Sequence, residues 1–180
     1  SMPVSIRQVF DRPRTVKMTK CQGQWCQSAS CLTVEAWQKS GFAFFDVPDE
    51  PWLVSLQLVF EGDCEWCGLV LRYGESTGNY YALQLEPERG RLALVRIQCG
   101  AVSRRLHERP LDIVAGRPVH LEVLVDGDCL VAYADSRVAL SARLCDLREG
   151  LWGLFASGGR VRFSDIQSMN ASFSDKWTYQ

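Results

Sequence analysis

The sequence is short of several features that whole functional classes require. It has only two histidines, and its 20 basic and 21 acidic residues leave a formal net charge of −1. Such a balance provides no field that would attract nucleic acid or an anionic membrane surface. No apolar run approaches the roughly 20 residues that cross a bilayer. We therefore expect neither nucleic acid nor membrane among the partners.

Length and composition are those of one globular domain. The chain has 180 residues, of which 47% are hydrophobic and 23% are charged. A chain of this size buries roughly 70% of the surface that its unfolded form exposes, which is enough for a core without cross-links. Ser1 ahead of Met2 is typical of a residue left by tag cleavage, so the chain could derive from a longer protein.

The dominant period from about Phe42 onward is two, which predicts strands with one buried face. Leu69, Leu71 and Tyr73 are expected on one face of such a strand, with Val70 and Arg72 on the other. The same alternation recurs along residues 54–60, 81–85, 92–96, 121–125, 131–133 and 161–163. Residues 31–38 are ambiguous and favour a strand.

Short strands separated by turn residues predict an all-β fold, an antiparallel two-sheet β-sandwich of the jelly-roll type. The Asp126-Gly127 pair is the strongest hairpin signal, since a type I′ turn needs positive φ at both central residues. Residues 41–180 are expected to form the sandwich module. Residues 1–40 are expected to be an extended strand and connector that packs on it, and the tail 171–180 an edge strand or frayed end.

The eight cysteines have three possible interpretations: free structural thiols, disulfides or metal ligands. Cys64-x-x-Cys67 has metal or redox spacing, but the sequence has neither a second such pair nor a histidine pair. Five cysteines in or beside apolar stretches are expected to act as small hydrophobic residues, namely Cys31, Cys67, Cys99, Cys129 and Cys145. Reduced thiols in a cytoplasmic protein are preferred, and the other two interpretations stay open. A secreted protein is disfavoured further because no signal peptide is visible.

No catalytic or cofactor motif stands out. Gly74-Glu75-Ser76-Thr77-Gly78 has the Gly-x-Ser-x-Gly spacing, but it lies in a turn between two predicted strands, whereas a nucleophile elbow leads from a strand into a helix. His107 and His120 are far apart. No glycine-rich turn leads into a helix that could hold a phosphate, so we expect no cofactor. Because the cysteines and histidines lack the spacing of a complete ligand set, a metal site is not favoured either. Glycoside hydrolysis needs two facing carboxylates, but nothing in the sequence singles out a pair.

Six tryptophans and five tyrosines are many for this length. Trp52 and Trp152 are expected in the core, whereas Trp66 lies in a polar turn. Exposed rings beside charged side chains are what sugar recognition uses, because a ring packs on the C–H face of a sugar and charged groups bind its hydroxyls. The candidate carbohydrate-binding residues are two stacking rings, two acceptors and two donors: Trp66, Tyr80, Glu65, Asp126, Arg72 and Arg143. A strand arginine could equally be a tether between strands.

Two stretches resemble a known family. The run VHLEVLVDGDCLVAYADSRVALSARLCDLREGLWGLFASGGRVRFSDIQ, from Val119, and the run CGLVLRYGESTGNYYALQL resemble the C-terminal β-sandwich of glycoside hydrolase family 32. The matching residues are Arg72, Asp126, Gly127, Tyr133, Ala139, Leu140, Ser141, Arg143, Gly153, Leu154 and Phe155. The resemblance covers about residues 42–167 and implies a concanavalin A-like sandwich. A related sandwich, carbohydrate-binding module family 66, is attached to some enzymes of this family and binds terminal fructose of fructans.

The chain departs from that family in two ways. Ala132 and Asp135 stand where the family usually has glutamate and asparagine. The family's catalytic motifs belong to an N-terminal propeller and do not occur here, since Asp11-Arg12-Pro13 has the wrong order. The resemblance therefore implies a non-catalytic module that binds a fructose-containing carbohydrate or supports the catalytic propeller domain of a parent enzyme. The alternatives are a purely structural sandwich and, less favoured, a stand-alone glycoside hydrolase.

Overall fold

The computed structural model describes residues 14–15, 18–28 and 30–170. Fifteen strands are present in these residues, all paired antiparallel, and the only helical element is a 3-10 turn at Pro87–Arg89. The strands are β1 Arg14–Thr15, β2 Met18–Gln22, β3 Gln24–Ser28, β4 Cys31–Glu35, β5 Gly41–Phe45, β6 Trp52–Glu61, β7 Trp66–Tyr73, β8 Tyr80–Glu86, β9 Arg91–Gln98, β10 Ala101–Pro110, β11 Val119–Asp126, β12 Cys129–Ala134, β13 Val138–Arg143, β14 Leu151–Ser157 and β15 Arg160–Asn170. No helix long and apolar enough to cross a membrane occurs in the described part of the chain.

The strands form two sheets. Sheet one has the order β13-β12-β11-β6-β15-β4-β3, with β1 paired to β15, and sheet two has the order β10-β9-β8-β7-β14-β5-β2. Apolar residues of the alternating stretches face each other between the sheets, as Leu56 and Leu58 do from sheet one and Leu69 and Leu83 from sheet two. The predicted antiparallel β-sandwich is confirmed.

Aromatic rings fill one part of this core. Trp52 and Trp152 are buried as predicted, with ring centroids 6.0 Å apart, and Phe45 stacks on Trp152 at 4.6 Å. The Trp152 indole N–H donates to the Asp46 carbonyl. The large rings therefore stabilise the sandwich by burial and satisfy a polar group at the same time.

The sandwich includes strands from before residue 40. β2 lies at the edge of sheet two, β3 and β4 lie at the edge of sheet one, and Val34 is fully buried in the core. The strand expected within residues 31–38 is confirmed as β4. The division of the chain at residue 40 stays a prediction, and residues 1–13 and 171–180 lie outside the described residues.

The predicted face of β7 is wrong at Tyr73, because the strand contains a β-bulge. Between β7 and β14, Leu71 and Arg72 oppose the single residue Trp152, and Arg72 has φ of +57°. An extra residue reverses the alternation beyond it. Tyr73 therefore packs on the same outer face as Val70, and Arg72 is buried at the end of the sandwich.

The hairpin between β11 and β12 has a different register from the predicted one. Asp126 pairs with Cys129, so the loop consists of Gly127 and Asp128, and of these two only Gly127 has positive φ, at +59°. A glycine with positive φ at the first loop position is typical of a type II′ turn. Asp126 is thus the last residue of a strand rather than a turn residue.

The expectation that five cysteines act as small hydrophobic residues is wrong for three of them. Cys99, Cys129 and Cys145 are exposed, because they lie in a turn, at a strand end and in a loop, respectively. Cys64 and Cys67 are buried, and a hydrogen bond with Cys64, followed by burial, raises the pKa of the Cys67 thiol. A raised pKa leaves little reactive thiolate.

A second apolar cluster covers the outer face of sheet two. Its centre is buried and its margin is formed by partly exposed Phe42, Tyr73 and Tyr80. The buried members are Phe44, Val70, Ala82, Ala93, Val95, Ile97 and Phe155. Tyr80 and Tyr81 thus lie on opposite faces of β8, as their adjacency predicts.

The two sheets also meet along one side of the sandwich, which we call the seam. It joins β10 of sheet two to β13 of sheet one. His107 Nδ1 donates to the Ser141 carbonyl at 3.0 Å, and Arg109 Nε donates to the Ala139 carbonyl at 3.3 Å. Side chains of one edge strand therefore satisfy backbone carbonyls of the other.

Gly153, at the centre of β14, provides a test of this packing. An added Cβ would lie 2.2 Å from the Ala43 carbonyl oxygen, and the Phe44 ring is also close. Because backbone atoms cannot give way as a side chain can, we expect Gly153→Ala to lower the unfolding free energy by about 3 kcal/mol, near the upper end of overpacking costs. Urea denaturation would measure it.

The matched control is Gly100→Ala, which places a methyl group in open space at a turn with φ of +77°. It should cost about 1 kcal/mol, the penalty of the left-handed backbone alone. Equal losses in the two variants would contradict the packing of β14 against β5.

Candidate functional site

The structure separates the six predicted carbohydrate-binding residues. Arg72, Asp126 and Arg143 lie at one end of the sandwich, which we call the hairpin end because it contains the β11–β12 hairpin. Glu65 and Trp66 lie at the opposite end of β7. Tyr80 lies on the outer face of sheet two.

Arg72 joins the loops of the hairpin end. Its side chain is 7% exposed, and one terminal nitrogen donates to Glu50 at 2.6 Å and to the Gly127 carbonyl. The other donates to the carbonyls of Leu147 and Arg148. The second Glu50 oxygen accepts a hydrogen bond from the Gly127 N–H at 2.8 Å.

This geometry is that of a tether, one of the two roles that the sequence leaves open for Arg72. The guanidinium extends from sheet two to the hairpin of sheet one and to the loops on either side. Its planar fork of donors suits several fixed acceptors at once. The role of Arg72 as a sugar contact stays a prediction.

Two further core residues hold the loop 144–150. The Tyr81 hydroxyl accepts a hydrogen bond from the Asp146 N–H at 3.0 Å. Arg96 lies over the Tyr81 ring, and its Nε is 3.8 Å from an Asp146 carboxylate oxygen. The loop is therefore fixed to sheet two at several points, although its own side chains are largely exposed.

A cavity of about 440 Å³ lies at the hairpin end. Arg72 and the buried Leu144 are among its lining residues. Polar groups of the surrounding loops complete the lining, which consists of Glu50, Arg72, Gly127, Asp128, Leu144, Cys145 and Arg148. Carboxylate acceptors and guanidinium donors thus surround one small space.

Arg143 forms an ion pair with Asp128, a carboxylate at the rim of this cavity. One Arg143 nitrogen contacts both Asp128 oxygens, at 3.1 and 2.9 Å. The hydrogen bond with Arg143 holds the pKa of Asp128 below its ordinary value, and Asp128 raises that of Arg143. Both groups are exposed, so the pair orients the rim more than it stabilises the fold.

The remaining predicted residues lie in different surroundings. Trp66 is 39% exposed as predicted, although it is the first residue of β7 rather than part of the preceding turn. The Glu65 N–H donates to the Ser157 carbonyl. Tyr80 packs against Phe42 and Tyr73, with ring centroids 6.0 and 5.9 Å away. Burial, then the neighbouring Tyr73, raises the pKa of Tyr80 to about 12.

A second polar cluster, on the outer face of sheet one, has the composition but not the geometry of a catalytic triad. His120 Nε2 lies 2.9 Å from Glu122 and 3.4 Å from the Ser55 hydroxyl. A relay that activates a serine uses both ring nitrogens, one toward the acid and one toward the nucleophile. Both contacts here fall on the same nitrogen, so this cluster cannot act as such a relay.

Sequence reasoning missed Glu50, Asp128 and Arg148. Glu50 precedes a proline in an irregular stretch, and Arg148 lies in a loop without periodicity. The sequence Asp126-Gly127-Asp128 predicts a turn, but the predicted register makes Asp126 rather than Asp128 the candidate binding residue. For these three residues, the only indication in the sequence is that Asp128 is charged and lies next to a predicted hairpin turn.

Comparisons with known proteins identify relatives of this architecture. The family described as glycosyl hydrolases family 32 C terminal matches residues 24–170. The fold resembles the carbohydrate binding module CBM66 from Bacillus subtilis, with a TM-score of 0.74, 18% identity, and coverage of 86% of this chain and 97% of that one. No curated protein matches the sequence.

Two fungal enzymes contain a similar fold in part of their length. For an Aspergillus kawachii beta-fructofuranosidase the TM-score is 0.64 at 20% identity, with 88% of this chain and 29% of that chain covered. For a fructosyltransferase from A. japonicus the TM-score is 0.64 at 18% identity, with 92% and 28% covered. At such identities the likeness shows the fold alone, and this chain spans less than a third of either enzyme.

The tether function of Arg72 can be tested by Arg72→Lys. Lysine keeps the positive charge but cannot bind Glu50, the hairpin and the loop together, so buried acceptors lose their donors. We expect the unfolding free energy to fall by about 2–4 kcal/mol. The control Arg162→Lys, on the exposed side of β15, should change it by no more than about 0.5 kcal/mol. Similar values for the two variants would contradict the tether.

Proposed function

The chain belongs to the family of C-terminal modules of glycosyl hydrolases family 32, and from this premise we propose that it binds a fructose-containing carbohydrate at the hairpin end. The bound carbohydrate would be presented to the catalytic propeller domain of a parent enzyme. The chain itself corresponds to the non-catalytic part of such an enzyme. The observation that carries the proposal is the charged cavity beside Arg72.

The dimensions of the cavity support a small ligand. Sites for small molecules typically have volumes of about 300–1,000 Å³, and the cavity at the hairpin end has about 440 Å³. It is formed by three loops that Arg72 and Glu50 hold together. The site is therefore organised before a ligand arrives, which lowers the entropy cost of binding.

The chemistry of the rim supports a sugar rather than an apolar ligand. Asp128 offers an ionised acceptor, while Arg148 and Arg143 offer donors. Each sugar hydroxyl can donate and accept, and hydrogen bonds to charged groups are stronger than those between neutral groups. A furanose ring with hydroxymethyl substituents has no broad flat face, so a pocket of polar groups suits it better than a stacking ring.

The expected affinity is weak. Most lining side chains remain accessible to water, and both Glu50 oxygens already accept protein hydrogen bonds. We expect a Kd of about 1 mM, equivalent to about −4 kcal/mol. An accessory module of this kind acts by keeping an attached catalytic domain near its substrate.

A second candidate function is mechanical support of the catalytic domain. The partly exposed rings of Phe42, Tyr73 and Tyr80 on the outer face of sheet two favour it, because aromatic side chains are enriched at protein interfaces. In that case the module needs no sugar site. The contribution of Tyr80, Trp66 and Glu65 to sugar binding stays a prediction.

The cysteines support a cytoplasmic location as part of the proposal. Cys21, Cys26, Cys99, Cys129 and Cys145 are exposed free thiols. Exposed thiols persist in reducing compartments and tend to oxidise elsewhere. A parent enzyme acting on imported sugar agrees with this chemistry better than a secreted one.

Calorimetric titration with fructose, sucrose, levan and inulin tests the proposed site. We expect binding of at least one of them at millimolar concentration. The double variant Asp128→Asn/Arg148→Ala should weaken it at least tenfold, because it removes an acceptor and a donor from the rim. Affinity gel electrophoresis would measure the polymers independently.

The control is Arg162→Ala, which removes an exposed arginine from β15 outside this cavity and should leave the affinity unchanged. Absence of binding to all four carbohydrates would refute the sugar site and favour the supporting function. Binding that survives the double variant would place the sugar elsewhere on the module.

A further inference from the structure

The end of the sandwich opposite the hairpin end carries two exposed tryptophans. Trp37 is 56% exposed and Trp66 is 39% exposed. Trp37 lies in the turn 36–40, and Trp66 begins β7 directly after the turn 62–65. The turn 158–159 contacts both of these turns. We call this the tryptophan end. Leaving such large apolar rings in water is unfavourable.

The Trp37 ring is held in one orientation. Its indole N–H donates to Glu35 at 2.7 Å, and the other Glu35 oxygen forms an ion pair with Arg160 Nε at 3.1 Å. One part of the ring lies against Gly62, where an added Cβ would be 2.6 Å from two ring atoms. Only glycine permits this contact, so the turn supports the ring from below.

The backbone under Trp37 is also fixed. The buried Ala36 donates its N–H to the Gly159 carbonyl at 2.7 Å and accepts from the Gly158 N–H at 2.8 Å. These bonds tie the turn after β4 to the turn between β14 and β15. The ring is therefore a rigid platform rather than a mobile surface side chain.

A cavity of about 400 Å³ lies beside this platform. Besides Trp37 it is lined by hydrogen-bonding side chains and a short stretch of turn backbone: Gly23, Gln24, Glu35, Gln38, Lys39 and Ser40. The side chains include two amides, a carboxylate, an ammonium group and a hydroxyl. Donors and acceptors are thus grouped around one aromatic ring.

We infer that the tryptophan end is a second carbohydrate site, in which Trp37 stacks on the C–H face of a pyranose ring. A pyranose with equatorial hydroxyls has a flat apolar face that matches an aromatic platform. Its hydroxyls project from the ring edge, where the amides of Gln24 and Gln38 and the Lys39 ammonium lie around the cavity. An apolar protein segment would leave those polar groups without partners, which disfavours it as the occupant.

This site differs in chemistry and place from the cavity at the hairpin end. The hairpin end has no tryptophan in its lining, and the tryptophan end has no arginine in its lining. The inference does not depend on fructose binding at Arg72. Either site can be present without the other.

Titration of the whole chain with cellotetraose, maltotetraose and methyl β-D-glucopyranoside tests the second site. We expect at least one of them to bind at millimolar concentration, with a change in tryptophan fluorescence. Trp37→Ala should weaken this binding at least tenfold, since it removes the platform. Glu35→Gln should weaken it less, because the amide oxygen can still accept the indole N–H.

Two controls separate the possible outcomes. Arg162→Ala removes an exposed side chain outside this cavity and should keep the affinity within about twofold. Asp128→Asn/Arg148→Ala should leave pyranose binding unchanged. Circular dichroism would verify that each variant is folded. No pyranose binding at 10-fold the expected millimolar Kd, or unchanged binding in Trp37→Ala, would overturn the inference. Sugar-independent association of the chain with itself or with another protein, lost in Trp37→Ala, would overturn it in favour of a protein interface.

Discussion

The buried guanidinium of Arg72 is the interaction on which the hairpin end depends. A sandwich core of aliphatic and aromatic side chains holds the two sheets together, but it does not determine the arrangement of the loops beyond the strands. Arg72 supplies that arrangement because a bulge in β7 turns its side chain toward sheet one. There the charge is compensated by Glu50 and by backbone carbonyls of the hairpin and of the loop 144–150. An arginine buried with this many acceptors converts three loops into one structural unit.

The two ends of the sandwich offer different recognition chemistry on one framework. The hairpin end presents charged groups fixed by an internal ion pair, and the tryptophan end presents an aromatic ring fixed by a carboxylate and a glycine. In both places the rigidity comes from contacts behind the surface rather than from the surface residues themselves. In this sandwich the candidate functional groups lie mainly in the loops, while the strands provide fixed positions for them.

Much of the fold could be predicted from the sequence, because alternation along a strand is a local property. Leu56, Leu58, Leu69 and Leu83 reveal their common core face by spacing alone. The bulge at Arg72 could not be predicted from the sequence, since it depends on the pairing of β7 with β14. The bulge places Tyr73 on the face opposite to the predicted one. The exposure of Cys99 and Cys129 likewise depends on which residues close the hairpins, and a shift of one residue changes the side on which they lie.

The candidate sites were harder to predict than the strands because they combine residues distant in sequence. Arg72 and Arg143 were recognised as candidates, and the structure places them near each other at the hairpin end. Nothing in the sequence distinguishes Glu50 or Arg148 as candidate site residues, since neither lies in a periodic stretch. Trp37 was not distinguished from the other tryptophans, because its platform exists only through contacts with Gly62 and Glu35 in three dimensions.

The seam between β10 and β13 makes one long side of the sandwich less open to strand addition than the other. On that side the carbonyls of Ala139 and Ser141 already have side-chain donors, so a foreign strand that tried to extend sheet one there would have to displace them. A carbonyl only accepts, so the proton of this bond is carried by His107 Nδ1. Lateral addition of a strand to β13 is therefore opposed by side chains of the molecule's own neighbouring edge strand.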